Sequence, residues 1–319
     1  MEENYKLEME KLIMPDKMFQ VTVSIVTYQS RNTIGPALDA LKKAYDDGIA
    51  AVVVVDNVSI DGTPAFITDH YPWVKLVRNT ENVGFGRGCN IGVQYARTPY
   101  IMFLNPDAVI DIESLKTLLD FMDNNSNVGM CGPVLKGLTG EVRSVPLLPT
   151  PWRIVVNPLL EKWISGEPRF INPGDAPIIT EWIRGVCMLL RKEVFDNIGG
   201  FDPRFFLYFE ETDLCLRTYK SGWEIWIVGN SVCEHVNAAS AKQTKAPLIF
   251  GDTISEHYFR SRFYYMVKHF GWLKAISAEI GEILFIFIRT IIDLIRFKFN
   301  TGLLNRFQAP ILKLPSRIK

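Results

Sequence analysis

Along the first hundred residues, apolar positions alternate between short β-branched runs and stretches with helical spacing. Val21–Tyr28 (V-T-V-S-I-V-T-Y) is β-branched and bounded by polar residues, the pattern of a strand. Thr33–Tyr45 has apolar residues at helical spacing. Ala50–Val55 (A-A-V-V-V-V) is a short continuous apolar run, as in a strand covered on both faces. A helix over Pro64–Tyr71, a short strand at Val74–Arg78, a glycine-rich start to a helix over Gly84–Tyr95 and a strand at Tyr100–Leu104 follow. This strand–helix alternation predicts an α/β fold with a largely parallel sheet. Polar residues gather where the strands end, and ligands of open α/β sheets bind at those ends. Thr27, Asp56 and Asp107 are therefore expected to share one crevice.

The second half reads less regularly. Pro146–Pro177 is proline-rich and lacks periodicity, which predicts an irregular segment over the site. Thr180–Leu190 reads as a strand and Lys192–Ile198 as a short helix closed by Gly199 and Gly200. Asp213–Ser221 reads as a helix stopping at Gly222, and Glu224–Val228 as a strand. Beyond about Ile254 the pattern changes to long helices. Ile276–Phe297 is strongly apolar, but Glu279, Glu282, Arg289, Asp293 and Arg296 interrupt it. At about 100° per residue those charges fall on one stripe and leave a broad apolar face. A helix of that kind lies in a membrane interface or packs on a partner, and it is too interrupted to span a bilayer.

Charge sharpens that expectation. The chain of 319 residues carries 35 basic and 35 acidic side chains, a net charge of zero. Such a balance argues against a general nucleic-acid binder, which needs a basic excess. From Arg289 onward, however, there are seven basic residues and one acid. A basic tail beside an apolar helix face suits the anionic inner face of a cell membrane. The five scattered cysteines, with no C-x-x-C pair, predict reduced core thiols in a cytoplasmic protein. The charged, mixed-sign N-terminus does not read as a signal peptide.

Three sites carry candidate chemistry. Asp56 opens the turn D-N-V-S-I-D-G-T, where a carboxylate can take hydrogen bonds from a base edge or ribose; Asp61 fits turn and cap chemistry instead. In E-N-V-G-F-G-R-G-C-N, Glu81–Asn90, glycines let the backbone approach a ligand and Arg87 could meet phosphate. The spacing matches neither the dinucleotide fingerprint nor a P-loop. At Leu104–Asp107 (L-N-P-D), Asn105 and Asp107 offer hard oxygens to a divalent cation already bound to phosphates, and His235 could complete such a site. Last, Glu210, Glu211 and Asp213 sit among large apolar residues in F-F-L-Y-F-E-E-T-D-L-C-L-R. Carboxylates in that setting serve as a proton acceptor, a metal site or an ion pair with Arg217.

In their order along the chain, these segments, with G-G-F-D-P-R at Gly199–Arg204 and H-x-x-x-x-S at His235–Ser240, resemble the family 2 glycosyltransferases of the GT-A fold, most closely their bacterial rhamnosyltransferase-like branch. The resemblance covers roughly residues 21–270. It implies a Rossmann-like, mixed but mainly parallel sheet over 21–245, after an N-terminal extension at 1–20 and before a C-terminal helical appendage at 246–319. It further implies a nucleotide-diphosphate sugar donor, with dTDP-rhamnose or a UDP-sugar as candidates. Inversion at the anomeric carbon, a divalent metal (Mg²⁺ or Mn²⁺) and a glycan or lipid-linked acceptor in polysaccharide synthesis belong to the same expectation. Donor contacts are then expected from Thr27, Tyr28, Asp56, Asn57, Asn82, Gly84, Arg87, Asn90, Asn105 and Asp107, and metal contacts from Asp107 and His235. Glu211 stands where the family's base is usually Asp. Trp182, Gly185, Glu210 and Asp213 would border the acceptor, with Asp213 and Arg217 as a supporting ion pair. Two other readings stay open: a nucleotidyltransferase of related fold, and a non-catalytic subunit, which Glu211 and Asn105 would favour.

Overall fold

In the computed structural model, residues 19–137, 140–145, 147–155, 169–235 and 253–296 are described, with side chains in the last stretch from 256. The strands are β1 (Val21–Thr27), β2 (Ala50–Asp56), β3 (Lys75–Arg78), β4 (Tyr100–Leu104), β5 (Ala108–Ile110), β6 (Val128–Lys136), β7 (Ile178–Thr180), β8 (Cys187–Arg191) and β9 (Glu224–His235). The helices are α1 (Ile34–Asp46), α2 (Thr63–His70), α3 (Phe85–Val93), α4 (Ile112–Asn124), α5 (Lys192–Asn197), α6 (Glu210–Lys220), α7 (Thr253–Phe270) and α8 (Trp272–Ile295).

All nine strands form one sheet in the order β3-β2-β1-β4-β8-β6-β9-β5, with β7 also paired to β9. The β3-β2-β1-β4 half is parallel. β8 enters antiparallel between β4 and β6, and β6 and β9 pair in parallel. Every residue of β1, β2 and β4 is buried, the polar Thr22, Ser24 and Thr27 of β1 included, as in strands covered on both faces. Successive side chains point to opposite faces. Val21, Val23, Ile25, Val52 and Val54 pack with Ile34, Leu38, Ile67 and Leu118 on one side. Val26, Val53 and Val55 pack with Cys89, Val93, Phe201 and Leu214 on the other. Helix α3 lies so close to β1 that a Cβ at Gly92 would come within 2.2 Å of the Ser24 hydroxyl.

The register brings the predicted polar ends together. Thr27 pairs with Asp56, and Ile25 with Leu104, so β1, β2 and β4 end at one edge. Residues 108–136, which carry no expected element, form β5, α4 and β6. Where one strand was expected over Thr180–Leu190 there are two, β7 and β8, separated by the loop 181–186 that carries Trp182 and Gly185. The helix expected from Asp213 begins three residues earlier, at Glu210. Within the segment expected to be irregular, residues 151–155 are helical, and Leu148, Ile154 and Ile171 are buried; residues 156–168 lie outside the described residues. So do 1–18, which hold most of the expected extension, and the expected boundary at 245/246.

The C-terminal helices share a core with the sheet domain. Phe263, Tyr265, Met266, Ala275 and Ala278 of α7 and α8 cluster with Phe205, Phe209 and Leu216 around α6. On α8 the charged stripe turns inward at its first half: Glu279 and Glu282 are buried against Arg262 of α7. The apolar face, including Leu273, Ile280, Leu284, Phe287, Ile288 and Ile295, is exposed. All five cysteines are free and buried, as core thiols should be.

Candidate active site

The turn after β2 is built by Asp56. Its Oδ1 accepts the Thr27 hydroxyl at 3.0 Å and its Oδ2 accepts the Ser59 N–H at 2.9 Å. The carboxylate thus shapes the loop that ends β2, and each oxygen keeps a second lone pair. Asn57 donates to the Gly84 carbonyl at 3.2 Å and accepts from Asn79 at 2.8 Å, tying this turn to the glycine-rich loop. Asn82 accepts the Gly84 N–H at 3.0 Å, an Asx turn at the entry to α3. Arg87 is half-buried in the first turns of α3, and Tyr28 is exposed at the end of β1. As expected, Asp61 is a turn and cap residue, accepting the Thr63 hydroxyl and N–H.

Two residues of these loops carry strain. Gln29 (φ 54°) and Val58 (φ 61°) are left-handed without being glycine, and for a β-branched residue this is an outlier. The Gln29 side chain explains how the loops hold it: its Oε1 accepts the N–H groups of Ile60 and Asp61 at 3.3 and 3.1 Å. Such strain concentrates at ligand sites. No pattern around Gln29 in the sequence points to this stitching role.

Asn90 has a structural tie. Its amide donates to the Phe201 carbonyl at 2.8 Å and accepts the Phe201 N–H at 3.0 Å. Both amide atoms are engaged 111 residues away, so Asn90 clips α3 to the segment before α6.

Asp107 sits between β4 and β5, 3.2 Å from Nε2 of His235 at the end of β9. The β5–β9 pairing, with Ala108 opposite His235, places the two side chains together. Donors at that separation can both reach one ion at about 2.0–2.2 Å. Among the described residues no group of three or more His, Cys, Asp or Glu is placed to hold a metal ion by itself. The pair therefore fits an ion whose remaining ligands are substrate phosphate oxygens and water, the usual way Mg²⁺ is held. Asn105, half-buried, donates its N–H to the Val186 carbonyl at 2.9 Å and accepts the Ala108 N–H at 3.1 Å through its own carbonyl.

Glu210 and Glu211 open α6. The chain enters through Tyr208 (φ 67°) and Phe209 (φ 68°), two consecutive left-handed aromatic residues. This costly entry fixes where the helix begins. Burial raises both carboxyl pKa values, that of Glu210 well above its ordinary value, and the neighbouring Glu211 pushes Glu210 further up. Against burial, the free N–H groups at the helix start and the charge of Arg184 pull Glu211 back down. One Glu210 oxygen, Oε2, is buried without a hydrogen-bond partner, which suits a neutral acid better than a carboxylate. Glu211 is less buried and packs against Gly185, where an added Cβ would lie 3.4 Å from its Cβ and Cγ.

Asp213 turns inward, toward Arg217 and α7. Its side chain has no exposed surface. The expected pair with Arg217 forms at 2.8 Å, and Lys268 and His269 of α7 add contacts at 2.6 and 2.7 Å. Despite burial, these partners hold the Asp213 carboxyl below its ordinary value, His269 foremost. Asp202 is treated alike by Arg204 and Lys268. Trp182 is half-buried in the 181–186 loop. A cavity of about 520 Å³, lined by Gly199, Asp202, Arg204, Arg217 and Lys268 among others, shares no residue with the donor loops.

Gly185 and Val186 join the two halves of the site. The first packs on Glu211, and the second binds the turn that carries Asp107. Glu211 and the turn that carries Asp107 thus flank one two-residue segment at the strand ends.

The family pattern described as Glycosyl transferase family 2 matches residues 22–199. The chain is 27% identical over 273 residues to an N-acetylglucosaminyl-diphospho-decaprenol L-rhamnosyltransferase of Mycobacterium tuberculosis, covering 79% of this chain and 86% of that one. It is 28% identical over 273 residues to the dTDP-rhamnosyl transferase RfbF of Shigella flexneri, covering 83% and 85%. Among solved structures, GalNAc-T7 with UDP, GalNAc and Mn²⁺ shares the fold with a TM-score of 0.55 at 15% identity, covering 88% of this chain and 58% of that one. S. aureus TarS 1-349 in complex with UDP-GlcNAc gives 0.54 at 17% identity, covering 90% and 79%.

Proposed function

The chain belongs to glycosyl transferase family 2, in its rhamnosyltransferase-like branch, and from that premise we propose that it moves a sugar, rhamnose first among the candidates, from a nucleoside diphosphate to a hydroxyl of a glycan or lipid-linked acceptor, with inversion and with Glu211 as the base. The observation that carries this reading is the bracketing of Gly185–Val186 by Glu211 on one side and the Asp107 turn on the other.

Glu211 takes the acceptor hydroxyl's proton as that oxygen attacks C1 of the sugar from the face opposite the diphosphate. Burial lifts its pKa toward the working range of a general base. Burial and the neighbouring Glu211 favour the neutral form of Glu210, which opposes placing two charges in one apolar turn. The Asp56 and Gly84 loops receive the nucleotide, with Thr27 and Asn57 fixing their shape. Asp107 and His235 would hold a divalent ion, which when bound supplies charge stabilisation to the departing diphosphate. The two rhamnosyltransferases, one named for a decaprenol-linked substrate and the other for dTDP-rhamnose, support the donor and acceptor classes.

The exposed apolar face of α8, followed by a basic sequence, is assigned to an anionic membrane surface, on its cytoplasmic side. Among the described residues no helix is long and apolar enough to cross a membrane. The test of the whole reading is transfer from dTDP-rhamnose, against UDP-hexoses, to an N-acetylglucosaminyl-diphospho-lipid, with and without Mg²⁺ or Mn²⁺. Nucleotidyl transfer, or no transfer from any nucleotide sugar, contradicts it.

A further inference from the structure

Helix α7 meets the start of α6 in an aromatic wall that the chemistry above leaves without a role. Phe206 stacks on His257 with ring centroids 4.7 Å apart and planes 25° apart. Tyr258 meets Tyr208 edge-on at 5.8 Å and Phe209 at 5.4 Å. Phe209 directly precedes Glu210 and Glu211, so the wall adjoins the turn that carries the base. The Glu211 charge is felt at the Tyr258 hydroxyl, whose pKa is raised by burial first and by Glu211 among lesser causes. Yet Phe206 and Tyr258 stay 37% and 40% exposed.

Tyr258 packs against the rings of Tyr208, Phe209 and Phe259. One helical turn on, the charge of Arg262 offsets part of the effect of burial on its hydroxyl. Arg262 is buried between Glu279 and Glu282 of α8, at 2.9 and 2.6 Å. A buried Arg–Glu–Glu cluster is often no more stable than apolar packing of the same volume. What it supplies here is geometry, because it docks α7, the helix that carries His257 and Tyr258, onto α8. The loop opposite is fixed too. The Phe206 carbonyl accepts the Phe85 N–H at 3.1 Å, on the donor side. The Leu207 carbonyl accepts the Ser261 hydroxyl at 2.8 Å, on the α7 side.

We propose that Phe206, His257 and Tyr258 form a stacking platform for a pyranose ring of the acceptor, so that the C-terminal helices complete the acceptor site. The inference rests on Glu211 as the base, since the acceptor hydroxyl must reach it. Aromatic faces carry negative charge density and pack against the C–H face of a sugar ring, while the sugar hydroxyls stay at the edge with water. Rings that are ordered before binding lose little freedom when the sugar arrives. A lipid chain fits less well, because it would strip water from His257 and the Tyr258 hydroxyl without replacing their hydrogen bonds. The uninterrupted apolar exposure lies on α8 instead.

The test is saturation-transfer NMR with the methyl glycoside of N-acetylglucosamine, on full-length protein loaded with dTDP or UDP. Signal is expected on the ring C–H protons. Tyr258→Ala should lose it and Tyr258→Phe should keep it, with nucleotide affinity unchanged in both. Tyr258→Leu, which keeps apolar bulk without the π face, should also lose it and guards against a folding defect in the alanine variant. In transfer assays with a short-chain N-acetylglucosaminyl diphosphate, Tyr258→Ala should raise the acceptor KM by about three- to tenfold. Absence of ring-proton signal in the wild type, or equal signal in Tyr258→Ala, overturns the platform. Platform signal without any sugar transfer to the diphosphate probe would leave the platform standing and contradict the proposed reaction.

Discussion

Lys268 Nζ lies 2.6 Å from Oδ1 of Asp213, placing α7 in ionic contact with the helix that begins at Glu210 and Glu211. The same ammonium lies 2.7 Å from Asp202, in the segment leading into that helix. Since His269 and Arg217 also reach Asp213, the position of the proposed base depends on residues of a helix that sequence reading treats as an appendage.

Asp213→Asn removes the charge that Arg217 and Lys268 share and that His269 also contacts. Breaking a buried pair on one side costs up to about 3–5 kcal/mol, less the rehydration open to the partly exposed Arg217 and Lys268. Urea unfolding should show a loss of that order, and Asp213→Ala no less. A change near zero would show that the cluster does not brace α6 and α7.

The two kinds of carboxylate predict opposite responses to pH. Asp202 and Asp213 have folded pKa values below the unfolded ones. The stability they contribute is present above the ordinary carboxylate pKa and lost as pH falls through the folded values. Glu210 has a raised value, so its contribution is full below the ordinary carboxylate pKa and is lost as pH rises through the folded value. Glu210→Gln should therefore stabilise the protein at pH 8 relative to wild type and do so less at pH 5. Melting curves at the two pH values check this, and a loss of stability at pH 8 would mean that the Glu210 charge is needed.

Asp107→Ala and His235→Ala should each weaken metal-dependent binding of the donor nucleotide. Thermal protection by dTDP or UDP with Mn²⁺ should fall in both variants, while protection without metal changes little. Undiminished Mn²⁺-dependent protection in Asp107→Ala would remove the metal assignment.

Replacing Leu284 and Ile288 by Glu places two charges on the exposed face of α8, away from the Arg262 cluster. Sedimentation with anionic liposomes should drop severalfold without a change in melting temperature. Equal sedimentation would rule out this face as the lipid contact.

Much of the sheet was legible because β2 and β4 are continuous apolar runs up to their last residues, the form a strand takes when covered on both faces, and β1 is rich in β-branched residues. The β7–β8 division was hidden, since Ile183 and Val186 between the two strands are themselves apolar and buried. The true start of α6 was hidden for a related reason: Tyr208 and Phe209 take left-handed backbone that sequence patterns assign to glycine. Local pairs could be read, as with Asp213 and Arg217 one helical turn apart. Distant ones could not. His269 lies 56 residues from Asp213, and Asn90 reaches Phe201 111 residues away, although its glycine-rich surroundings suggested a ligand.

The central claim is that Glu211 takes the acceptor proton, and Glu211→Gln tests it most directly. The substitution keeps size and removes the basic oxygen. Single-turnover sugar transfer should fall by at least about 100-fold, and nucleotide affinity, measured on the same protein by calorimetry, should stay within about twofold of wild type. Transfer retained near the wild-type rate would contradict the account.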